Sequence, residues 1–275
     1  MGLTSHTKEL SGMLPEIMSH SRFEDTDYLA MIYHEIGTPL TAILGISHIL
    51  ANVECNQKRR SECNDVLRDS SNMLMGLMSN MLDSSKLHTG SMDLEHTVFD
   101  LCKVMDEAKN ITTVKAAEKG LILNMHIDKP YPTMFLGDPL RIRQILINLL
   151  GNAVKFTSTG MISVHMTQGV TQSGYSRICI TVADTGIGIE KDQLGKIFGK
   201  CAQAHPGIRQ SYGGSGLGLF ISRQLAHLMN GDINVKSTPG KGSQFTVAIP
   251  LQMASKSVAN QKNDDSEEFL NLEAA

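Results

Sequence analysis

Between residues 29 and 50 the apolar positions recur with helical spacing. With Ile32 as the origin of a wheel of about 100° per residue, Leu29, Ile36, Leu40, Ile43 and Leu50 fall in an arc of roughly 80°. That is one apolar stripe on one helix. A polar break follows at 52–57. A second stripe, Val66, Ser70, Met73, Leu74, Leu77 and Met81, then marks a helix over about 58–87. Two long helices with one apolar face each and a short connection predict an antiparallel hairpin. Two helices alone bury too little of those faces. The hairpin is therefore expected to pair with a second copy as a dimeric four-helix bundle.

Thr89-Gly90-Ser91 closes the second helix, and the pattern changes there. From Leu94 the reading is a strand, a helix at about 101–118, a strand at 121–127 and a helix at 138–157. Strands near 161–167 and 176–183 follow, joined by a turn at 169–174. A short helix near 190–197, a Gly-rich loop, a helix at about 216–229 and strands at 231–236 and 243–249 complete the pattern. The fold class is α + α/β: a helical hairpin, then a mixed sheet with helices on one face. The expected organisation is a linker helix or coil at 1–24, a helical domain at 25–90, an α/β domain at 93–251 and a disordered acidic tail at 252–275 containing KNDDSEEF.

Bulk properties narrow the function. The 275 residues carry a net charge of −3, which gives no general attraction to nucleic acid or to an anionic membrane surface. No apolar run reaches the roughly 18 residues of a membrane span. The start, MGLTSHTKEL, lacks the basic-then-apolar order of a signal peptide. The 5 cysteines form no CxxC pair, so free thiols in a reducing, cytoplasmic compartment are expected. The 10 histidines are scattered without metal-ligand spacing, and no structural metal is expected.

One histidine has chemistry around it. His34 lies about 200° from Ile32 on the wheel, opposite the apolar stripe, and Thr38 lies about 40° from His34. Both therefore share a solvent face. A neutral imidazole nitrogen is a nucleophile near neutral pH. Glu35, its neighbour, can take the proton from the other ring nitrogen. Pro39 inside the helix removes a backbone donor and frees a carbonyl one turn upstream.

Four later segments carry candidate binding groups. Asn148, Asn152 and Lys155 recur at spacings of four and three and share one helical face, which suits a hydrated Mg²⁺ and phosphate oxygens. Asp184-Thr185-Gly186-Ile187-Gly188 follows a strand; such a carboxylate can accept a hydrogen bond from a base amino group. Gly213-Gly214-Ser215-Gly216-Leu217-Gly218 opens a helix whose exposed N–H groups suit anions. Gly240-Lys241-Gly242-Ser243 is a turn before a strand.

His34-Glu35-x-x-Thr38-Pro39 resembles the H box of sensor histidine kinases. The four later segments resemble, in order, the N, G1, G2 and G3 boxes of the GHKL ATPase fold. Asp138-Pro139-Leu140-Arg141 and Gln144 match the approach to the N box. The resemblance runs from about residue 25 to 251. It implies a dimerisation and histidine phosphotransfer domain followed by an ATP-binding α/β sandwich. It further implies an ATP-dependent protein-histidine kinase that autophosphorylates His34 and passes the phosphoryl group to a response-regulator receiver domain. By the same resemblance Asn152 ligates Mg²⁺, Asn148 supports the metal or phosphates, and Lys155 touches phosphate. Asp184 reads the adenine amino group, Gly186 and Gly188 line the base pocket, and Gly214, Ser215, Gly216, Leu217 and Gly218 belong to the phosphate lid. Thr38 is expected to position a water for removing phosphate from a partner's aspartate. The upstream sensor is not recognisable in this chain, which is expected to be a piece of a larger sensor whose parent can be membrane-anchored.

Two departures stand out. Ile36-Gly37 replaces the Leu-Arg often found between Glu and Thr. Cys201 replaces the second aromatic of the F box after Ile197-Phe198, and with Gly195 and Gly199 it bears on closure of a lid expected over about 199–213. The competing readings are a pseudokinase scaffold acting through its bundle, another GHKL ATPase, and a serine-type kinase of the same fold. The intact set His34, Glu35, Asn152 and Asp184 disfavours the first. Leu149-Leu150-Gly151 offers no Glu base, which disfavours the second, and the H box disfavours the third.

Overall fold

Two compact units make up the chain in the computed structural model, Met1–Leu82 and Asp83–Ala275. The structure describes residues 23–52, 56–127, 133–200 and 216–254.

Helix α1 (Phe23–Asn52) runs through Pro39, and helix α2 (Gln57–His88) follows. Pro39 has no N–H, so the carbonyl of Glu35 loses its helical donor. Beside it, the Thr38 hydroxyl donates to the His34 carbonyl at 3.2 Å. Asn56 caps α2, its side-chain oxygen accepting from Arg59 N at 2.9 Å. In the first unit Ile32, Cys63 and Leu77 are buried. Leu40, Leu44, Val66, Met73, Met78 and Leu82 instead remain 43% to 63% exposed. Part of each predicted stripe thus has no cover within one copy.

The second unit is built on seven strands and three helices among the described residues. They are β1 (Thr97–Asp100), α3 (Leu101–Glu118), β2 (Ile122–Ile127), β3 (Met134–Gly137), α4 (Pro139–Phe156), β4 (Met161–Gln172), β5 (Tyr175–Asp184), α5 (Gly218–Leu228), β6 (Asp232–Thr238) and β7 (Gly242–Met253). The sheet order is β1-β3-β7-β5-β4-β2, with β6 also paired to β7. Only β2 and β4 run parallel among these pairs; the others are antiparallel. Along β5, Ser176, Ile178, Ile180 and Val182 are buried and alternate with more exposed residues, so one sheet face meets the core. Leu146, Leu149 and Leu150 of α4, Met105 of α3 and Leu225 of α5 fill the space above it.

Local chemistry fixes the helix that matters most. Asp138 caps α4: one carboxylate oxygen accepts from Arg141 N at 3.0 Å, and Pro139 opens the first turn. The other oxygen accepts from Glu95 N at 3.0 Å and so ties the preceding linker to the cap.

The elements differ from expectation in several places. Residues 190–199 form successive turns rather than a helix, closed mainly by short bonds such as Lys196 N to the Gln193 carbonyl at 2.8 Å. Gly195 and Gly199 weaken helical propensity there. The four-residue β3 was not anticipated, because a run that short shows no periodicity. The β4–β5 turn is only Ser173-Gly174, both at positive φ (52° and 82°), as a tight two-residue hairpin requires. Strand β7 reaches Met253; the expected acidic tail beyond 254 and the linker before 23 lie outside the described residues.

Candidate functional site

In the first unit, α1 presents His34 and Thr38 as exposed residues and Glu35 as half-buried. Tyr33, next to His34, is 71% exposed.

In the second unit, hydrogen bonds draw the candidate segments together. Asp184 ends β5. Its Oδ1 accepts from Gly186 N at 2.8 Å and from Ser243 N at 3.3 Å. Among the described residues no hydrogen bond engages its Oδ2. Burial pushes the carboxyl up from its ordinary value, and the hydrogen bonds from Gly186 N and Ser243 N pull it partly back. The 184–188 loop docks on the end of α4, where Ile187 N donates to the Phe156 carbonyl at 3.3 Å. A Cβ at Gly186 would overlap that carbonyl oxygen, so only glycine allows the approach. On its other side the loop meets the 237–243 turn: Gly240 N donates to the Ile187 carbonyl at 2.8 Å, and Ile189 N to Ser237 Oγ at 2.8 Å.

Helix α4 also meets α5. Asn148 Nδ2 donates to Ser222 Oγ at 2.8 Å, and a Cβ at Gly218 would overlap the Asn148 side-chain oxygen. Gly218 therefore lets the Asn148 amide sit against the helix start. Leu217 is fully buried and anchors that start. Asn152 is half-buried and has no side-chain hydrogen bond among the described residues. Lys155 Nζ lies over the Phe156 ring, 4.8 Å from its centroid. Gly216 is described; Gly214, Ser215, Cys201 and most of the expected lid lie outside the described residues.

Several supporting groups were missed in the sequence. Arg141 Nη1 pairs with Asp83 Oδ1 at 3.2 Å, and Gln144 Nε2 donates to Asp83 Oδ2 at 2.7 Å, on the first turns of α4. Asp83 lies 58 and 61 residues from these partners, and the sequence did not point to the pairing. The Arg223 guanidinium lies 4.9 Å from the Phe198 ring centroid and bonds Asp232 Oδ1 at 3.0 Å. Phe198 also meets Phe245 edge to face at 6.4 Å. These contacts hold Phe198 against α5 and β7.

Residues 137–253 match the histidine kinase-, DNA gyrase B-, and HSP90-like ATPase family, and residues 25–90 match the His Kinase A (phospho-acceptor) domain. The chain is 35% identical to the signal transduction histidine-protein kinase BarA of Escherichia coli K12 over 228 residues, 83% of this chain and 25% of BarA. It is 34% identical to the sensor protein GacS of Pseudomonas syringae over 264 residues, 96% of this chain and 28% of GacS. With the hybrid signal transduction histidine kinase L of Dictyostelium discoideum it shares 38% identity over 226 residues, 82% of this chain but 13% of that protein. A crystal structure of full-length ShkA in complex with AMPPNP superposes with a TM-score of 0.62 at 30% identity, covering 83% of this chain and 46% of that one. The Acinetobacter baumannii histidine kinase AdeS shares the fold, with a TM-score of 0.60 at 19% identity. The helical segment and the α/β unit are thus a phosphoacceptor domain and an ATP-binding ATPase domain, in that order. The chain belongs to the sensor histidine kinases and carries their catalytic core, spanning about a quarter of the length of BarA and GacS. Among the described residues no helix is long and apolar enough to cross a membrane.

Proposed function

We propose that this chain autophosphorylates His34 with ATP and passes the phosphoryl group to a receiver-domain aspartate. The observation that carries the reading is the exposed His34, beside Glu35, within the segment that matches the phosphoacceptor domain. An imidazole nitrogen attacks the γ-phosphorus, the bond to the ADP oxygen breaks, and Glu35 takes the proton from the other ring nitrogen. Thr38, on the same face, serves the removal of phosphate from the partner, by positioning a water.

In the ATPase domain, Asp184 Oδ2 accepts the adenine amino group while Gly186 and Gly188 let the backbone line the base. Lys155 meets the phosphates. Asn148 supports them through α5, whose start (Gly216, Leu217, Gly218) belongs with Gly214 and Ser215 to the lid. Mg²⁺ fits the donor set: the Asn152 amide, without a hydrogen bond among the described residues, offers a hard oxygen, and phosphates and water would complete such a shell. No group of three or more His, Cys, Asp or Glu among the described residues competes for it. When bound, the ion neutralises charge on the transferring phosphates.

The working form is a homodimer through residues 25–90, supported by the uncovered Leu40, Leu44, Val66 and Met73. The core works in the cytoplasm, and an upstream sensor and a cognate response regulator complete the system. Incubation with γ-labelled ATP should label the chain with an acid-labile, base-stable phosphoryl group that chases onto a receiver domain. An acid-stable label would contradict the reading.

A further inference from the structure

We propose that Lys119 is a positioning residue for the nucleotide site, acting through the last turn of α4. The inference rests on the assignment of Asn152 and Lys155 to the metal and phosphates.

The last four carbonyls of a helix have no partner within it. In α4 all four find a donor outside the helix. The Ala153 carbonyl accepts from Thr157 N at 3.1 Å, and the Phe156 carbonyl from Ile187 N at 3.3 Å. The two between them, on Val154 and Lys155, both accept from the Lys119 ammonium, at 2.7 and 3.1 Å. A cation at a helix C-terminus is also favoured by the helix dipole.

The lysine is itself held in place. It caps α3: its N–H donates to the Ala116 carbonyl at 3.1 Å, and Gly120 N donates to the Ala117 carbonyl at 2.9 Å. Gly120, at φ 67°, then reverses the chain, and Leu121 N returns to the Ala116 carbonyl at 2.9 Å. The side chain therefore leaves a rigid corner and spans to a helix of distant sequence.

That turn is where the site's parts join. It carries Lys155, with Asn152 one turn earlier, and its last carbonyl holds the base-side loop through Ile187. Without the ammonium, two adjacent carbonyls lose this shared donor and the turn is held less firmly. Lys119 is an exposed residue, while Ala153 and Val154 are buried beneath the turn. Truncation therefore disturbs the end of α4 without opening the core.

The test uses the full chain and ATP with Mg²⁺ by calorimetry. Lys119→Met should weaken ATP binding roughly five- to tenfold, with the thermal midpoint little changed. Lys119→Arg, which keeps two donors and the charge, should restore binding. The loss in Lys119→Met should not add to that in Lys155→Met, because one acts through the other's turn. Three results would overturn the proposal: unchanged affinity in Lys119→Met while Lys155→Met weakens, a failed Arg rescue, or fully additive losses. If Lys155→Met itself leaves affinity unchanged, the phosphate assignment fails and the proposal falls with it.

Discussion

Asp184 concentrates the residue-scale argument. Its carboxyl is raised by burial, so the folded chain binds that proton more tightly than the unfolded chain does. The group's contribution to stability is thus fully present below the unfolded value and is lost as pH rises through the folded value. At neutral pH the buried charge is a cost, which an adenine amino group would offset under the proposed base reading. Asp184→Asn keeps an oxygen for Gly186 N and Ser243 N but removes the charge. It should leave thermal stability at neutral pH equal or higher, while ATP affinity falls by about 1.5–3 kcal/mol. Calorimetry and thermal unfolding of the same sample check both halves; unchanged affinity would refute base reading. Glu35→Ala should slow labelling of His34 by roughly 10²–10⁴-fold with ATP binding intact, as read by initial rates. The positions of Asp184 at a strand end, Asn152 on a helix and His34 on an exposed helix face were legible because each sits in a local pattern. Ser222, Asp83 and Lys119 were not, because their partners are 74, 61 and 36 residues away at most.

Among the elements, α4 is the frame of the site. Asp138 fixes its start, Lys119 and Ile187 its end, and Asn148 its contact with α5. Gly218→Ala would drive a methyl into the Asn148 amide, so that side chain must give up its place against Ser222 or α5 must shift relative to α4. The expected result is weaker ATP binding in a folded domain, seen as a loss of fluorescent-nucleotide affinity with the circular dichroism spectrum unchanged. Normal affinity would show that the α4–α5 contact does not set the phosphate end. The long helices and strands were readable because many residues share one period. The 190–199 turns were misread as helix, since Leu194 and Ile197 give a helical spacing that two glycines and i→i+3 bonds do not complete. The order of the sheet was beyond the sequence altogether: β2 reaches β4 across α4, a pairing set by packing rather than by local signal.

For the whole molecule, two apolar faces without cover in one copy predict a dimer. Leu44 and Met73 are 55% and 59% exposed. Leu44→Glu with Met73→Glu should yield monomers in sedimentation, while the ATPase domain still binds nucleotide. A wild-type chain that sediments as a monomer at micromolar concentration with its helices folded would overturn the dimer. The claim that joins both domains is that one histidine of the phosphoacceptor domain receives phosphate from ATP held in an ATPase domain. Its most direct test is labelling of His34→Gln beside the wild-type chain with γ-labelled ATP, together with ATP affinity for each. The account predicts no label on His34→Gln and equal affinity for ATP. An acid-labile label that persists on His34→Gln would contradict it.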